Sequence, residues 1–456
     1  MAHGIIPDEY RWRCFFHMTD IGNLQSILVN GLLCTNEMKR RGIVHNDIAN
    51  LVIQERRSLM DVPCGNGGNV HDYVPFYFAS VNPMLLSLVK SKNFDQEDIV
   101  FLCLKIDKLI SLDAIFTDAS ANTVIPPQFF DNAEKLSQLS WDLIDDRRWG
   151  SESDETRHRK MAEVLIHKKV QPQDIEAIVV SNEQHKKIVE QWLKEAGLSI
   201  RVCYECYGVY DAKTCYFYYK KWMVTDQRQQ RESLVTGPKA LRKKYKRLLE
   251  NIKHSRELNS PNSYRYHTIT EMLNAIHLDF SSINELSGIE GLSTSNPYHH
   301  MTVSDHTLDV VEKVKETQYY QQTDVRTKDI LELAAYLHDI GKGPKSKWRD
   351  EIQPPYPDHP ADAIPMLARI FTKDLEEISE DEIRIISLIV VYHDIIGEYL
   401  SKGRRIDEFL PLIVCEKDYD MLACLSEADM KSIDYLWWVE YKAKERELKT
   451  RFIPHE

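Results

Sequence analysis

The chain has 456 residues, long for a single hydrophobic core, so two domains are expected. A hydrophobic fraction of 43% with 28% charged residues excludes a disordered chain, and no apolar run approaches the roughly 20 residues of a bilayer span. The net charge of -12 excludes a surface coated for nucleic acid, so any such partner is held by local patches.

The opening "MAHGIIPDEYRWRC" lacks a basic start followed by an apolar signal core, which sets the expectation of a cytoplasmic protein with no membrane partner. An aromatic strand, "FFHM", then leads into "TDIGNLQSILVNGLL". Here Asp20 is a candidate N-cap, Ile21, Leu24, Ile27 and Leu28 share one helical face, and Gly31 is a stop. "HNDIANLVIQERRSLM" reads as a second helix, ended by the breaker cluster "DVPCGNGGNV". Short β-rich runs follow, "VPFYFAS", "IVFLCLKI", "AEVLIHKKV", "EAIVVS" and "SIRVCYEC", with a helix "NEQHKKIVEQWLKEAG" between the last two. This half is α+β. The odd cysteine count of nine suits buried reduced thiols. Cys203, Cys206 and Cys215 offer three zinc ligands without a fourth nearby, against the plainer reading of thiols on an aromatic edge strand.

One residue in this half contradicts its surroundings: the apolar strand in "HRKMAEVLIHKKV" carries a carboxylate, Glu163. Burying a lone carboxylate is costly, so a charge partner or a chemical role is required. No GxGxxG follows a strand, which argues against a Rossmann dinucleotide site. Glu163, His17 and Thr19 after the aromatic strand, Asn23 opening a helix, Arg57 near a helix C-terminus and the loop-to-strand run "GGNVHDYVPFYF" instead read as parts of one polar pocket. Taken singly, each has a structural reading: a cap, a surface cation or core tyrosines.

In this order the segments "FHMTDIGNLQSIL", "IQERRSLMDVPCGNGGNVHDYVPFYFASVNPML", "FTDAS", "QLSWD" and "AEVLIHKKV" resemble the DarT family of DNA ADP-ribosyltransferase toxins, over roughly residues 10 to 222. The resemblance implies an ADP-ribosyltransferase fold holding NAD between two small sheets. It implies catalytic roles for Glu163 and Arg57, a nucleotide cleft formed by His17, Met18, Thr19, Asn23, Leu33 and Tyr77, and single-stranded DNA contacts from Gly67, Gly68 and His71. A carboxylate suits the oxocarbenium-like cation formed when the nicotinamide bond breaks. A guanidinium is essentially always protonated, so Arg57 is read as stabilising a thymine anion, not as a base. Ser120 stands where some relatives have histidine, which leaves base preference open.

Residues 226–258 carry ten Lys/Arg against four Asp/Glu, about +6 in an acidic chain, and read as a basic helical linker. It is either a solvated spacer or a phosphate-backbone contact through Lys243 and Lys244. Beyond residue 265 nearly every segment repeats apolar residues at helical spacing, including one long run "YDMLACLSEADMKSIDYLWW". His306, the adjacent pair His338 and Asp339, then His359, His393 and Asp429 sit on or beside separate helices, a pattern by which a bundle surrounds a metal ion. This half resembles the HD-domain phosphohydrolases, especially the HD domain attached to CCA-adding tRNA nucleotidyltransferases. The resemblance implies Mn, Fe, Mg, Ni or Zn activating water against a phosphoester, a second ion at His359 and His393, and Lys342 neutralising a substrate phosphate.

The sequence reading is therefore an α+β ADP-ribosyltransferase domain over residues 1–225, a basic linker over 226–264 and an all-α HD domain over 265–456. The expected activity is NAD-dependent modification of a base, thymidine first, in single-stranded DNA, as a toxin or phage-defence effector checked by a DarG-like macrodomain antitoxin. The alternative is a guanine, RNA or protein acceptor, with the HD half sensing a nucleotide and restraining the toxin.

Overall fold

A computed structural model of the chain describes residues 3–46, 48, 51–122, 126–146, 153–203, 222–225, 230–258, 264–297 and 300–453. Two units result, Met1–Lys90 with Phe94–Lys220, and Ser91–Asn93 with Lys221–Glu456. Cys206 and Cys215 of the sequence-level zinc reading lie outside the described residues.

The first unit is built on β1 (Cys14–Asp20), β2 (Leu32–Leu33), β3 (Tyr73–Tyr77), β4 (Ile99–Lys105), β5 (Ala114–Thr117), β6 (Phe129–Phe130), β7 (Glu163–His167), β8 (Lys169–Val170), β9 (Ala177–Val179) and β10 (Arg201–Cys203). Eight of them form one sheet in the order β10-β9-β4-β1-β3-β7-β5-β6, and β2 pairs β8 separately. In place of the two small sheets expected from the sequence there is one eight-stranded sheet, with its sparsest pairing between β1 and β3. β1 pairs β4 from Cys14↔Lys105 to Asp20↔Ile99, and β3 pairs β7 from Tyr73↔His167 to Tyr77↔Glu163, whereas β1 meets β3 only at Phe16↔Tyr77.

Pro75 gives the reason for this seam. Along an antiparallel strand the N–H and C=O of one residue point to the same side and alternate with the next. Asp72 O and Phe78 N bond toward β7, so Val74 and Phe76 face β7 while Tyr73, Pro75 and Tyr77 face β1. A proline there removes the donor that would continue the ladder. Its carbonyl accepts a side-chain bond from His17 instead, Nδ1 to O 2.7 Å.

β4 is buried along "IVFLCL", which accounts for its unbroken apolar run. Phe15, Phe76 and Phe116 are fully buried in the core, with Phe15 and Phe76 edge to face at 5.2 Å. Three helices matter below: α1 (Leu24–Asn30), α2 (Leu51–Leu59) and α3 (Glu183–Glu195). Asp20 accepts from Gly22 N as foreseen, and Gly31 ends α1 with φ 81°, a conformation glycine adopts without strain. Asn182 caps α3 by accepting from His185 N.

The second unit is helical: α4 (Pro238–Leu258), α5 (Ile269–Leu278), α6 (Val303–Glu316), α7 (Val325–Leu337), α8 (His359–Arg369), α9 (Glu380–Tyr392), α10 (Ile395–Lys402), α11 (Glu416–Ile433) and α12 (Tyr435–Phe452). The basic stretch is not a linker in this structure. Leu241, Tyr245, Leu248 and Ile252 form an apolar stripe on α4 that is buried in the core of this unit, and the charges occupy its outer face. The long run ending in "DYLWW" is two helices. Asp434 is extended at φ -151° and its carboxylate accepts from Leu436 N to start α12. Among the described residues no helix is long and apolar enough to cross a membrane.

Candidate functional site

Glu163 opens β7 with no exposed surface, and its partner is Arg57, near the end of α2. The guanidinium forks onto the carboxylate, Nη1 to Oε1 and Nη2 to Oε2, both at 2.9 Å. Glu163 Oε1 also accepts from Ala121 N at 2.8 Å and from Ser120 Oγ at 3.4 Å. The backbone N–H of Glu163 donates to Thr117 Oγ1 at 3.2 Å. Four donors aimed at one carboxylate fix its plane. Burial opposes the charge on Arg57, but the Glu163 carboxylate overrides it and holds the guanidinium above its ordinary value. Arg57 therefore has no capacity to accept a proton.

Around this pair the structure gathers the expected residues unevenly. Tyr77 lies directly across from Glu163 in the ladder and donates its hydroxyl to Met84 Sδ at 3.1 Å. Burial, then the Glu163 charge, pushes the phenol above its ordinary range, so it remains protonated. His17 stands at the seam. Burial pushes it down to about 4, so the ring is neutral, with Nδ1–H on Pro75 O and Nε2 left as an acceptor. Met18 and Leu33 are buried apolar neighbours in β1 and β2. Asn23 is consumed by local structure: Nδ2 donates to Thr19 Oγ1 and Asn46 O, both 3.0 Å, and Oδ1 accepts from Asn46 N at 2.8 Å. It fastens the segment before α2 onto β1.

The loop expected to touch DNA divides in two. Gly67 and Gly68 have φ of 65° and 78°, and Gly67 O accepts from Tyr73 OH at 2.9 Å. A Cβ on Gly68 would meet Asp72 Oδ2 at 2.5 Å, so a side chain there would be strained at φ 78° and would displace the Asp72 carboxylate. His71, by contrast, is 5% exposed and bonds Gln54 of α2 through Nε2 at 2.9 Å. It ties the loop to the helix that carries Arg57 and does not stand on the surface as a DNA contact. Thr117, Ser120 and Ala121 were missed as partners of Glu163; the only signal was "FTDASA", a small-residue run after a strand.

In the helical unit, His306 on α6, His338 and Asp339 after α7, His359 opening α8, His393 after α9 and Asp429 on α11 are all buried and converge. His338, His359 and His393 each bond through Nδ1 to the carbonyl three residues earlier, Ala335, Tyr356 and Val390, at 2.7, 3.1 and 2.8 Å. That choice of tautomer turns each Nε2 lone pair inward, the arrangement a metal-binding histidine needs. His306 Nδ1 bonds Ser432 Oγ at 3.0 Å, and Ser432 donates to Asp309 Oδ2 at 2.6 Å. His306, His338 and Asp429 form one set of three close donors, and Asp339, His359 and His393 another. His338 Nε2 and Asp339 Oδ1 are buried without a hydrogen-bond partner, so the donor set fits a divalent cation.

Lys342 is also drawn in, with Nζ 2.6 Å from Asp339 Oδ2. Burial would raise the Asp339 carboxyl, but Lys342 and His338 hold it well below the usual carboxylate range. Asp394, adjacent to His393 and within the same cluster, was not singled out from the sequence, although "YHD" repeats the His-Asp order of "LHD". On α4, Lys243 lines an open groove of about 380 Å³ with Lys239, Arg242, Lys246, Arg247 and two glutamates, Glu250 and Glu408, the latter 2.8 Å from Arg242. Lys244 points elsewhere, its Nζ on Thr236 Oγ1 at 3.1 Å.

A mixed sheet parted along one seam, with a buried glutamate forked to an arginine beside it, is the architecture of an ADP-ribosyltransferase, and the second unit's histidine and aspartate cluster is that of an HD domain. The family described as "ssDNA thymidine ADP-ribosyltransferase, DarT" matches residues 16–210, and the HD domain matches residues 298–436. A DNA ADP-ribosyl transferase of Thermus sp. (strain 2.9) is 34% identical over 186 residues, 40% of this chain and 87% of that protein. Its namesake in Escherichia coli O127:H6 is 30% identical over 188 residues, again 40% of this chain, and 85% of the relative. The solved structure of Thermus sp. 2.9 DarT in complex with ADP-ribosylated ssDNA is similar at 33% identity, covering 44% of this chain and 97% of that one with a TM-score of 0.39. The chain belongs to the DarT family and carries an HD domain after its DarT region.

Proposed function

We propose that the first unit transfers ADP-ribose from NAD to a thymidine base in single-stranded DNA, and that the helical unit is a metal-dependent phosphohydrolase. The observation that carries the first part is the buried Arg57–Glu163 fork beside the seam between the half-sheets.

In the proposed reaction the C–N bond between nicotinamide and ribose breaks, nicotinamide leaves with the bonding pair, and positive charge develops at the anomeric carbon. Glu163, held in place by Arg57, Ala121 and Ser120, stabilises that charge and accepts from a ribose hydroxyl. His17 Nε2, neutral at physiological pH, accepts from a second polar group of the nicotinamide riboside. A thymine ring nitrogen then bonds the anomeric carbon and its proton passes to water, with Arg57 stabilising the negative charge on the base. A nitrogen used in base pairing is reached only in unpaired DNA, so the acceptor is single-stranded. Gly67 and Gly68 admit the strand beside the site; on the helical unit, taken by itself, Lys243 is a candidate phosphate contact.

In the helical unit, His306, His338, Asp339 and Asp429 would hold a divalent cation, with His359 and His393 at its border. The ion supplies Lewis-acid polarisation of a phosphoester and activates water at neutral pH. Lys342 keeps Asp339 ionised and adds positive charge where a phosphate would sit. A base-modifying enzyme of this kind acts as a toxin or defence effector and needs a restraint, for which a macrodomain that removes the modification is the matching chemistry.

The test is mass spectrometry of oligonucleotides of varied base content incubated with NAD. An ADP-ribose increment on thymidine of single strands, lost in Glu163→Gln, is expected; an increment on protein alone refutes the DNA reading. Hydrolysis of nucleotide phosphoesters that needs added Mn and is lost in Asp339→Asn tests the second part.

A further inference from the structure

We propose that the phosphoester cleaved by the helical unit belongs to a single strand of nucleic acid, whose neighbouring phosphates lie along the outer face of α4. The substrate class so assigned rests on the reading of this unit as a metal-dependent phosphohydrolase.

Three observations carry it. The first is which charges on α4 are already in use. Towards its C-terminal end Lys253 pairs with Glu380 at 3.1 Å, and Arg256 Nη1 donates to the carbonyls of Phe371 and Leu375 at 2.6 and 2.8 Å. Arg242 pairs with Glu408, and Lys244 bonds Thr236. Lys243, Lys246 and Arg247, by contrast, are exposed and make no side-chain hydrogen bond or ion pair among the described residues. The groove they line holds five cations against Glu250 and Glu408, a net of +3 in a chain of net charge -12. Carboxylates are in surplus here, so cations left unpaired on one face hold their charge for an anion from outside the chain.

The second observation is extent. Lys239, Lys243, Lys246 and Arg247 fall at positions i, i+4, i+7 and i+8, on one helical face. At 1.5 Å per residue the row is about 12 Å long, and at about 3.4 Å between phosphates of a stacked strand it matches about three or four in succession. A free nucleotide carries its phosphates at one end and leaves most of the row unused.

The third is place. α4 lies against the two helices that lead to or open on cluster histidines. Tyr245 OH donates to Arg384 O of α9 at 3.0 Å, and Thr236 N, just before α4, donates at 2.9 Å to Asp358 Oδ1, next to His359 at the start of α8. From Thr236 to Lys239 is three residues, at most about 11 Å of chain. A strand held on α4 therefore starts close to the candidate metal cluster. In the step itself a water oxygen bonds phosphorus, and the phosphorus–oxygen bond to one sugar breaks with its electron pair on the sugar oxygen. One water proton passes to that oxygen and the other is released to solvent. The α4 cations hold uncleaved phosphates and take no part in these bond changes.

The test uses the full chain with Mn and without NAD, on single strands of two to eight nucleotides, in parallel DNA and RNA series that show which sugar is accepted. In the intact protein kcat/KM is expected to rise about tenfold or more from the dinucleotide to about five nucleotides and then to level off. Lys243→Ala with Lys246→Ala and Arg247→Ala is expected to lose that rise and to flatten the slope of log kcat/KM against log salt by about 2, about 0.7 for each contact. Lys243→Arg with Lys246→Arg and Arg247→Lys, which keeps the charges, is expected to retain the rise, and thermal melting of each variant reports folding. A kcat/KM that is flat or falls with length in the intact protein, or a rise that survives the triple alanine variant, overturns the role of α4. Hydrolysis of neither short nor long strands, nor of free nucleotides, overturns the phosphohydrolase reading beneath it.

Discussion

Replacing Glu163 by glutamine tests the fork energetically before it tests catalysis. The two charges lie about 4 Å apart between group centres, which at an effective dielectric of about 20 corresponds to roughly 4 kcal/mol of attraction. Glutamine removes that attraction and turns an amide N–H2 toward one of the donors now bonded to Oε1 or Oε2. A buried Arg57 left without its counter-charge costs about 3–5 kcal/mol. For a unit of this size each kcal/mol moves the melting point by about 2–4 °C, so a fall of about 6–20 °C is expected. The discriminating variant is the apolar double replacement Arg57→Met with Glu163→Leu. It removes both charges, so its melting point is expected near that of the intact protein, while ADP-ribose transfer is absent. Calorimetry of the four members of this cycle, with transfer to a labelled oligonucleotide, gives both quantities. Glu163→Gln melting like the intact protein, or a double replacement no more stable than the single one, would refute the buried-pair argument.

Three further outcomes are expected. His17 is depressed in the fold to about 4 against an ordinary 6.5, so protons favour the unfolded chain between those values. Stability of the first unit is expected to fall by up to about 3 kcal/mol as pH drops from about 6.5 to 4, and His17→Gln flattens this slope; equal slopes refute it. Mn at a hundred times its dissociation constant is expected to stabilise the second unit by about 2.7 kcal/mol in melting experiments, an effect absent in His338→Ala. Lys243→Glu with Arg247→Glu is expected to weaken single-stranded DNA binding for every sequence and to flatten the log affinity against log salt slope by about 0.7 per lost phosphate contact, measured by fluorescence anisotropy.

What was legible in the chain followed from contradiction of pattern. Glu163 stands out because a carboxylate in an apolar strand breaks the rule that makes the strand. His338 and Asp339 stand out because they follow the apolar last turn of a helix, Leu333 to Leu337. The partners of Glu163 left no such mark: Ala121 contributes a backbone N–H, which every residue but proline has, and Ser120 lies 43 positions away. Pro75 was in plain view within "VPFYF", yet its effect depends on which way its carbonyl faces, which pairing alone decides. On α4 the stripe of Leu241, Tyr245, Leu248 and Ile252 stands at helical spacing within a dense run of charge, which masks it in the composition of the segment. Asp434 was passed over because apolar residues continue on both sides, although aspartate is a favoured first residue of a new helix.

The seam at Pro75 also bears on how this sheet ages in evolution. Strand edges left unsatisfied at the outside of a protein invite pairing with other chains. Here the two facing edges are interior, joined at Phe16 and Tyr77, and beside that pair the Pro75 carbonyl takes an imidazole in place of a main-chain partner. Any other residue in place of Pro75 returns an N–H to the edge, and with it the means for the two halves to zip together and erase the cleft.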